Sequence, residues 1–361
     1  MKMRKIVCSF MISVLCFMTA ISGVSATSYD TSKINAAYSK VVEYYKNNNN
    51  LNNADKILAV ESLGLEAESN QFDTSSANLS STSLSKKIVT EVLLGVDPTK
   101  DKETLESQID ENGNVEGSWG ASSDVWTLYA LYVTSSEKTN LIANKLNDEL
   151  AASSVCGYEW GGTYYADYDT TGWVIEGLAV VNKEKYATTI NKAIDYIKNN
   201  TTMTTTGWVT ADNVDTQSQV LEGMFAYDTN ALLNDSYTVH PVDCLLNTQL
   251  SDGSFPSGYN AEYTTAEVAK TLGTYKNGSV FEKAKKAYDK MMNPEQPDNT
   301  KPAQPTDTKK DSQSTNKVET TNQKTTSVKT GDETNVVIFV SLSMVSGGLF
   351  LVLRKEYERV H

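Results

Sequence analysis

Few side chains in this chain have both the type and the spacing for chemistry. Asp167 and Asp169 place two carboxyl groups on either side of Tyr168, with Thr170 and Thr171 following. Two carboxyls can divide acid and base roles when their surroundings push their pKa values apart. Glycosidic cleavage also needs a set carboxylate separation across a sugar ring, which acids two residues apart do not define; an inward pair from different repeats would. His240, Asp243 and Cys244 carry metal-ligand atoms within one short segment, while the other histidine, His361, ends the chain. A zinc site requires three protein ligands in competent geometry. No complete constellation emerges, so no catalytic residue, metal or cofactor is expected. Only Cys156 and Cys244 lie beyond residue 26. That excludes a disulfide scaffold, and because they fall two repeat units apart they are read as separate thiols.

The aromatic residues carry the stronger signal. All five tryptophans lie between Trp119 and Trp208. Trp126 and Trp173 sit in apolar helical runs and read as packing. Trp119, Trp160 and Trp208 sit in Gly-containing segments near Tyr164, Tyr165 and Tyr168. Such residues either plug between neighbouring elements or form a wall that stacks on sugar rings or grips an apolar ligand. The candidate ligand-binding set is Trp119, Trp160, Tyr165, Asp167, Asp169 and Trp208.

The elements that must position these residues repeat. Asp124, Asp169, Asp215 and Thr264 each precede an apolar helical run, at spacings of 45, 46 and 49 residues. A fixed period of this size marks a repeated supersecondary unit. The four polar residues read as N-caps, and Thr264 to Glu267 fits a capping box. Two further apolar runs, around Ile57 and from Ile88 to Val96, make six inner helices. Between them lie amphipathic stripes, Ile190-Ile194-Ile197 and Phe281-Ala284-Tyr288-Met291, which suit helices with one wet face. The expected architecture is all-α: an α6/α6 toroid of about twelve alternating inner and outer helices over residues 27–292. Helix N-termini and the loops entering them then gather at one end.

The two ends address the chain. Lys2, Arg4 and Lys5, an apolar run from Ile6 to Ile21, and Val24-Ser25-Ala26 read as a signal peptide spanning residues 1–26. Residues 293–329 hold four of the seven prolines and no aromatic, the composition of a disordered stalk. The uncharged run from Val336 to Leu353 is long enough for a membrane span, and Arg354, Lys355 and Arg359 behind it favour a cytoplasmic terminus. The formal charge of −13 argues against a nucleic-acid partner.

Ser327-Val328-Lys329-Thr330-Gly331-Asp332 ahead of that span, over residues 327–361, resembles the sorting signal of Gram-positive wall proteins. The resemblance implies sortase cleavage between Thr330 and Gly331 and linkage of Thr330 to peptidoglycan, although Ser327 and Val328 stand where the family has Leu and Pro. Leu245 to Phe255 followed by Thr264-Thr265-Ala266, and the segment Asp167 to Thr171, resemble the repeat of the terpenoid cyclase and protein prenyltransferase superfamily. Gly95-Val96-Asp97-Pro98 and Trp126 to Leu131 resemble the branch with bacterial surface proteins and intrinsic factor. This implies the α6/α6 fold. The cyclase motif Asp-x-Asp-Asp is incomplete, because Thr170 replaces its last acid. The expected function is therefore a non-catalytic surface binding or adhesion protein for a glycan or small apolar ligand. A cyclase- or prenyltransferase-like enzyme and a carbohydrate-active enzyme are the alternatives.

Overall fold

A computed structural model of the chain describes residues 29–294, apart from 69–71, 73–78, 206, 209–212 and 236. The expected signal peptide, most of the stalk, the sorting motif with Thr330 and Gly331, and the apolar run at 336–353 lie outside the described residues. Among the described residues no helix is long and apolar enough to cross a membrane.

The described chain is mostly helical. Eleven helical segments are α1 (Ser32–Asn47), α2 (Ala54–Ser62), α3 (Ser81–Leu93), α4 (Thr99–Ser107), α5 (Ala121–Val133), α6 (Thr139–Ser153), α7 (Tyr168–Asn200), α8 (Val214–Asn234), α9 (Pro241–Leu246), α10 (Ala261–Asn277) and α11 (Val280–Met292). Asn182 and Asp228 have non-helical backbone angles, so α7 and α8 are each two helices joined at a break. The sequence reading anticipated helices only. An antiparallel hairpin, β1 (Cys156–Trp160) with β2 (Thr163–Asp167), departs from it. Gly161 and Gly162 both have positive φ, as the tightest hairpin turn requires at its two central residues.

The expected caps shift upstream. α7 is capped by Asp167, whose carboxylate accepts from the Thr170 N–H, α8 by Asn213 and α10 by Asn260. α5 starts after Gly120 without a side-chain cap. Asp124, Asp169, Asp215 and Thr264 therefore lie inside the first helical turns, and the capping box at Thr264–Glu267 does not form. Where an acid inside the turn is not the cap, it is free to point elsewhere. Thr171 and Thr265 do a related job just beyond them: their hydroxyls accept from the Cys156 and Phe255 N–H groups, tying each helix to the segment before it.

Contacts between elements close on themselves. α2 packs on α3, α3 on α5, α5 on α7, α7 on α8, α8 on α10, and α10 back on α2. Equivalent positions in these six helices carry Asp55, Lys86, Trp126, Trp173, Gln219 and Glu267, and three residues on, Leu58, Val89, Tyr129, Glu176, Glu222 and Lys270. Residues three apart share a helix face. Neighbours in the first set touch: Lys86 binds Asp55 at 2.8 Å, lies over the Trp126 ring at 4.3 Å, and Trp126 meets Trp173 edge-on at 5.7 Å. The outer stripe of α7 is as expected, with Ile190 and Ile197 buried. α11 differs from a simple outer helix. It packs against α2, α3, α5 and α10, and Phe281 stacks on Tyr129 at 3.6 Å with the rings nearly parallel.

Small residues set the closest approach. A Cβ at Gly172 would meet the Gln219 carbonyl at 2.4 Å, and one at Gly223 would meet the Gly172 carbonyl at 2.4 Å. Gly223→Ala in α8 should thus destabilise by about 1–3 kcal/mol, as overpacking does, despite the helix propensity gained. Gly258→Ala, where a Cβ meets nothing, serves as the control. Urea denaturation of both variants checks this, and equal stability would remove the close packing.

Candidate functional site

The hairpin presents the aromatic face. Trp160 is 63% exposed and Trp119 58%, and their rings meet edge to face at 5.8 Å. The Trp119 segment is fixed to β1 by its own backbone, because the Glu159 N–H donates to the Trp119 carbonyl at 2.7 Å. Gly120, with φ of 96°, lets that segment lie against the backbone of Gly157 and Tyr158. In the hairpin Tyr158 pairs with Tyr165, and their rings stack at 5.6 Å. Tyr164 is exposed and its hydroxyl donates to Glu149 at 2.8 Å. Trp119, Trp160 and Tyr165 therefore belong to one exposed patch, as their placement in the candidate set requires. Tyr158 completes it, whereas Tyr164, paired with Glu159, lies on the opposite face of the hairpin. The signal that could have found the hairpin was the Gly161-Gly162 pair between two aromatic runs.

The other candidates separate from this patch. Trp208 is fully buried and so lines no open face, a correction to its assignment. Packing explains it, and being next to a glycine said nothing of its exposure. Asp167 spends both carboxylate oxygens on the backbone N–H and hydroxyl of Thr170, at 2.7 and 3.0 Å. Burial raises its pKa against those hydrogen bonds. It is a helix cap at the base of the hairpin. Asp169 hydrogen-bonds Thr216 of α8 and feels the charges of Asp167, Asp215 and Glu267. Burial, opposed by a hydrogen bond from Thr216 and helped by Asp167, Asp215 and Glu267, pushes its pKa up to about 6.

Beneath Asp169 lies a polar cluster that the sequence reading missed. Lys270 is 1% exposed and binds Glu267 at 3.0 Å and Glu222 at 3.7 Å. Gln219 donates to the same Glu267 oxygen, Oε2, at 3.3 Å. Glu176 accepts from Ser279 at 2.7 Å and from the Tyr129 hydroxyl at 3.1 Å. Burial opposes the Lys270 charge, but Glu222, Glu267 and Glu176 outweigh it and hold Lys270 protonated. Burial, then the neighbouring Glu176, drives the Glu222 pKa up, against the pull of Lys270. The sequence did contain the pattern, since Glu176, Glu222 and Lys270 are equivalent positions of apolar helices. A charge in a buried helix is the informative exception.

His240, Asp243 and Cys244 each have other work. His240 caps α9 by accepting from the Val242 N–H, and burial lowers its pKa. Asp243 accepts from the Tyr29 hydroxyl at 2.7 Å and from Lys33 at 3.0 Å. The Cys244 thiol donates to the Thr204 carbonyl. Among the described residues no group of acidic, His or Cys side chains is arranged to hold a metal ion. Cys156 and Cys244 are both buried and unpaired.

No protein-family profile matches the sequence, and no curated protein matches it.

Two outcomes follow from these placements. Truncating Trp119 and Trp160 together to Ala should leave stability nearly unchanged, whereas Trp208→Ala should cost about 3–5 kcal/mol; chemical denaturation separates them. The second concerns pH. Asp169 has a raised folded pKa, so the unfolded chain ionises first as pH climbs from about 4 to about 6, and stability falls across that window. Asp169→Asn removes this cost. Its melting temperature should exceed that of the unsubstituted protein at pH 8, with the difference shrinking toward pH 4.

Proposed function

We propose that the chain is a cell-surface binding protein, without catalysis, whose aromatic hairpin takes a glycan. The observation that carries this is the exposed Trp119–Trp160 pair on a rigid hairpin. Burying such rings away from solvent would lower free energy, yet among the described residues nothing covers them. An indole face accepts the C–H face of a sugar ring, and polar neighbours take its hydroxyls. Tyr158 and Tyr165, on the same hairpin face as Trp160, bring phenol hydroxyls beside the indoles, and that mixture suits a sugar better than a lipid.

The reading rests on a scaffold that we take to be an α6/α6 toroid. The closed circuit of six helix contacts and the period of 45, 46 and 49 residues support it. In this reading residues 1–26 export the protein. Residues 293–329 lift the folded part from the surface, and the segment 327–361 anchors it. Sortase joins Thr330 to peptidoglycan, with the apolar run at 336–353 holding the precursor in the membrane. A folded part facing outward then meets glycans directly.

A glycan array probed with the full chain tests the binding. The unsubstituted protein should bind a defined set of glycans, and the Trp119→Ala/Trp160→Ala variant should lose that binding at unchanged melting temperature. Undiminished binding by the variant rejects the hairpin as the site. Muralytic digestion should release the native protein, whereas Thr330→Ala should be released only by detergent.

A further inference from the structure

A second site lies away from the hairpin, at the N-terminal ends of α7, α8 and α10. Acids in this part of the molecule are paired with lysines. Asp55 has Lys86 at 2.8 Å, Glu262 has Lys56 at 2.9 Å, Glu267 has Lys270 at 3.0 Å, and Asp124 has Lys145 at 3.0 Å. Asp169 and Asp215 break the pattern. They occupy equivalent positions in neighbouring helices, and among the described residues neither forms an ion pair with a lysine or arginine. The glycine approach of α7 to α8 brings their helix starts together, Gly172 lying against the Gln219 carbonyl, so the two carboxyls repel one another.

Asp215 is the anomaly. It is only 4% exposed, and its Oδ1 has no hydrogen-bond partner among the described residues. Oε1 of Gln219 and Oε1 of Glu267, both buried, likewise lack partners. All three are acceptors, and a buried acceptor left unmade costs about 1–3 kcal/mol, more when charged. A scaffold has no use for this arrangement, since the corresponding residue of α10 is Tyr263 and that of α5 is Ser122. The pair lies at the edge of solvent, because Asp169 is only half-buried and Asp215 is hydrogen-bonded by the hydroxyl of Tyr259, an exposed residue, which leaves Oδ1 as its unpartnered oxygen.

We propose that Asp169 and Asp215 form a binding site for a primary organic ammonium group. The ligand's three N–H donors would satisfy Asp169, Asp215 and a neighbouring orphan acceptor, and its positive charge would relieve the carboxylate repulsion. Tyr259, 71% exposed, would close over the carbon attached to the nitrogen. This site is independent of the hairpin reading and uses none of its residues.

Isothermal titration calorimetry of the full chain at pH 8 and constant ionic strength tests it, with n-butylamine hydrochloride, its neutral isostere n-butanol and calcium chloride as probes. The ammonium should bind saturably and raise the melting temperature, and butanol should do neither. Asp169→Asn and Asp215→Asn should each weaken the ammonium at least tenfold, while Glu262→Gln leaves it unchanged. Both Asn variants remove an unpaired charge, so both should fold, and either alone is decisive. The proposal is overturned if butylammonium gives no saturable heat, if it binds Asp215→Asn as tightly as the unsubstituted protein, or if calcium binds there instead.

Discussion

A closed circuit of helices has to fill its own middle. Here six helices contact one another in turn and close the circuit, and most of the side chains they share are buried. This chain fills the space with aromatic rings and with one lysine among three glutamates. Lys270 draws Glu222 and Glu267 together, and Glu176 closes the group through Tyr129 and Ser279. Such a cluster is weak evidence of net stability, because desolvation offsets much of the attraction. Its geometry is demanding, however, since each member comes from a position fixed by the repeat. Asp169 and Asp215 stand one turn before Trp173 and Gln219 on the same helices.

The hairpin exploits that fixed frame. β2 runs straight into the cap of α7 at Asp167, and Thr171 ties Cys156 of β1 to the same helix. A short two-stranded ribbon is marginal in isolation, so its rigidity is borrowed from α7 and from the Trp119 segment. The exposed tryptophans can then be held in one relative orientation without a core of their own, which would lower the ordering cost of the binding we propose.

Much of this was legible in the sequence, for a physical reason. The period survives because Trp126 and Trp173, and Gly177 and Gly223, answer the same packing demand in successive units. Burial was legible for the Ile190 stripe, where one face is wet. The caps were misplaced because each helix start offers two polar residues, such as Asp167 and Asp169 or Asn213 and Asp215. Which one caps depends on where the backbone leaves the extended region. Trp208 could not be told from Trp160, since both neighbour glycine and only tertiary contacts decide exposure. The Lys270 cluster was hidden because long-range pairing, rather than local pattern, makes a buried charge tolerable.

The central claim is that Lys270 neutralises the glutamates at the middle of the helix circuit. Equilibrium urea denaturation of Lys270→Met measures it directly. The account predicts a loss of about 3–5 kcal/mol, the usual result of stripping one partner from a buried ion pair, and recovery of most of it when Glu222→Met and Glu267→Met are added. A loss below about 1 kcal/mol for Lys270→Met would mean that its ammonium reaches water, and would contradict the account.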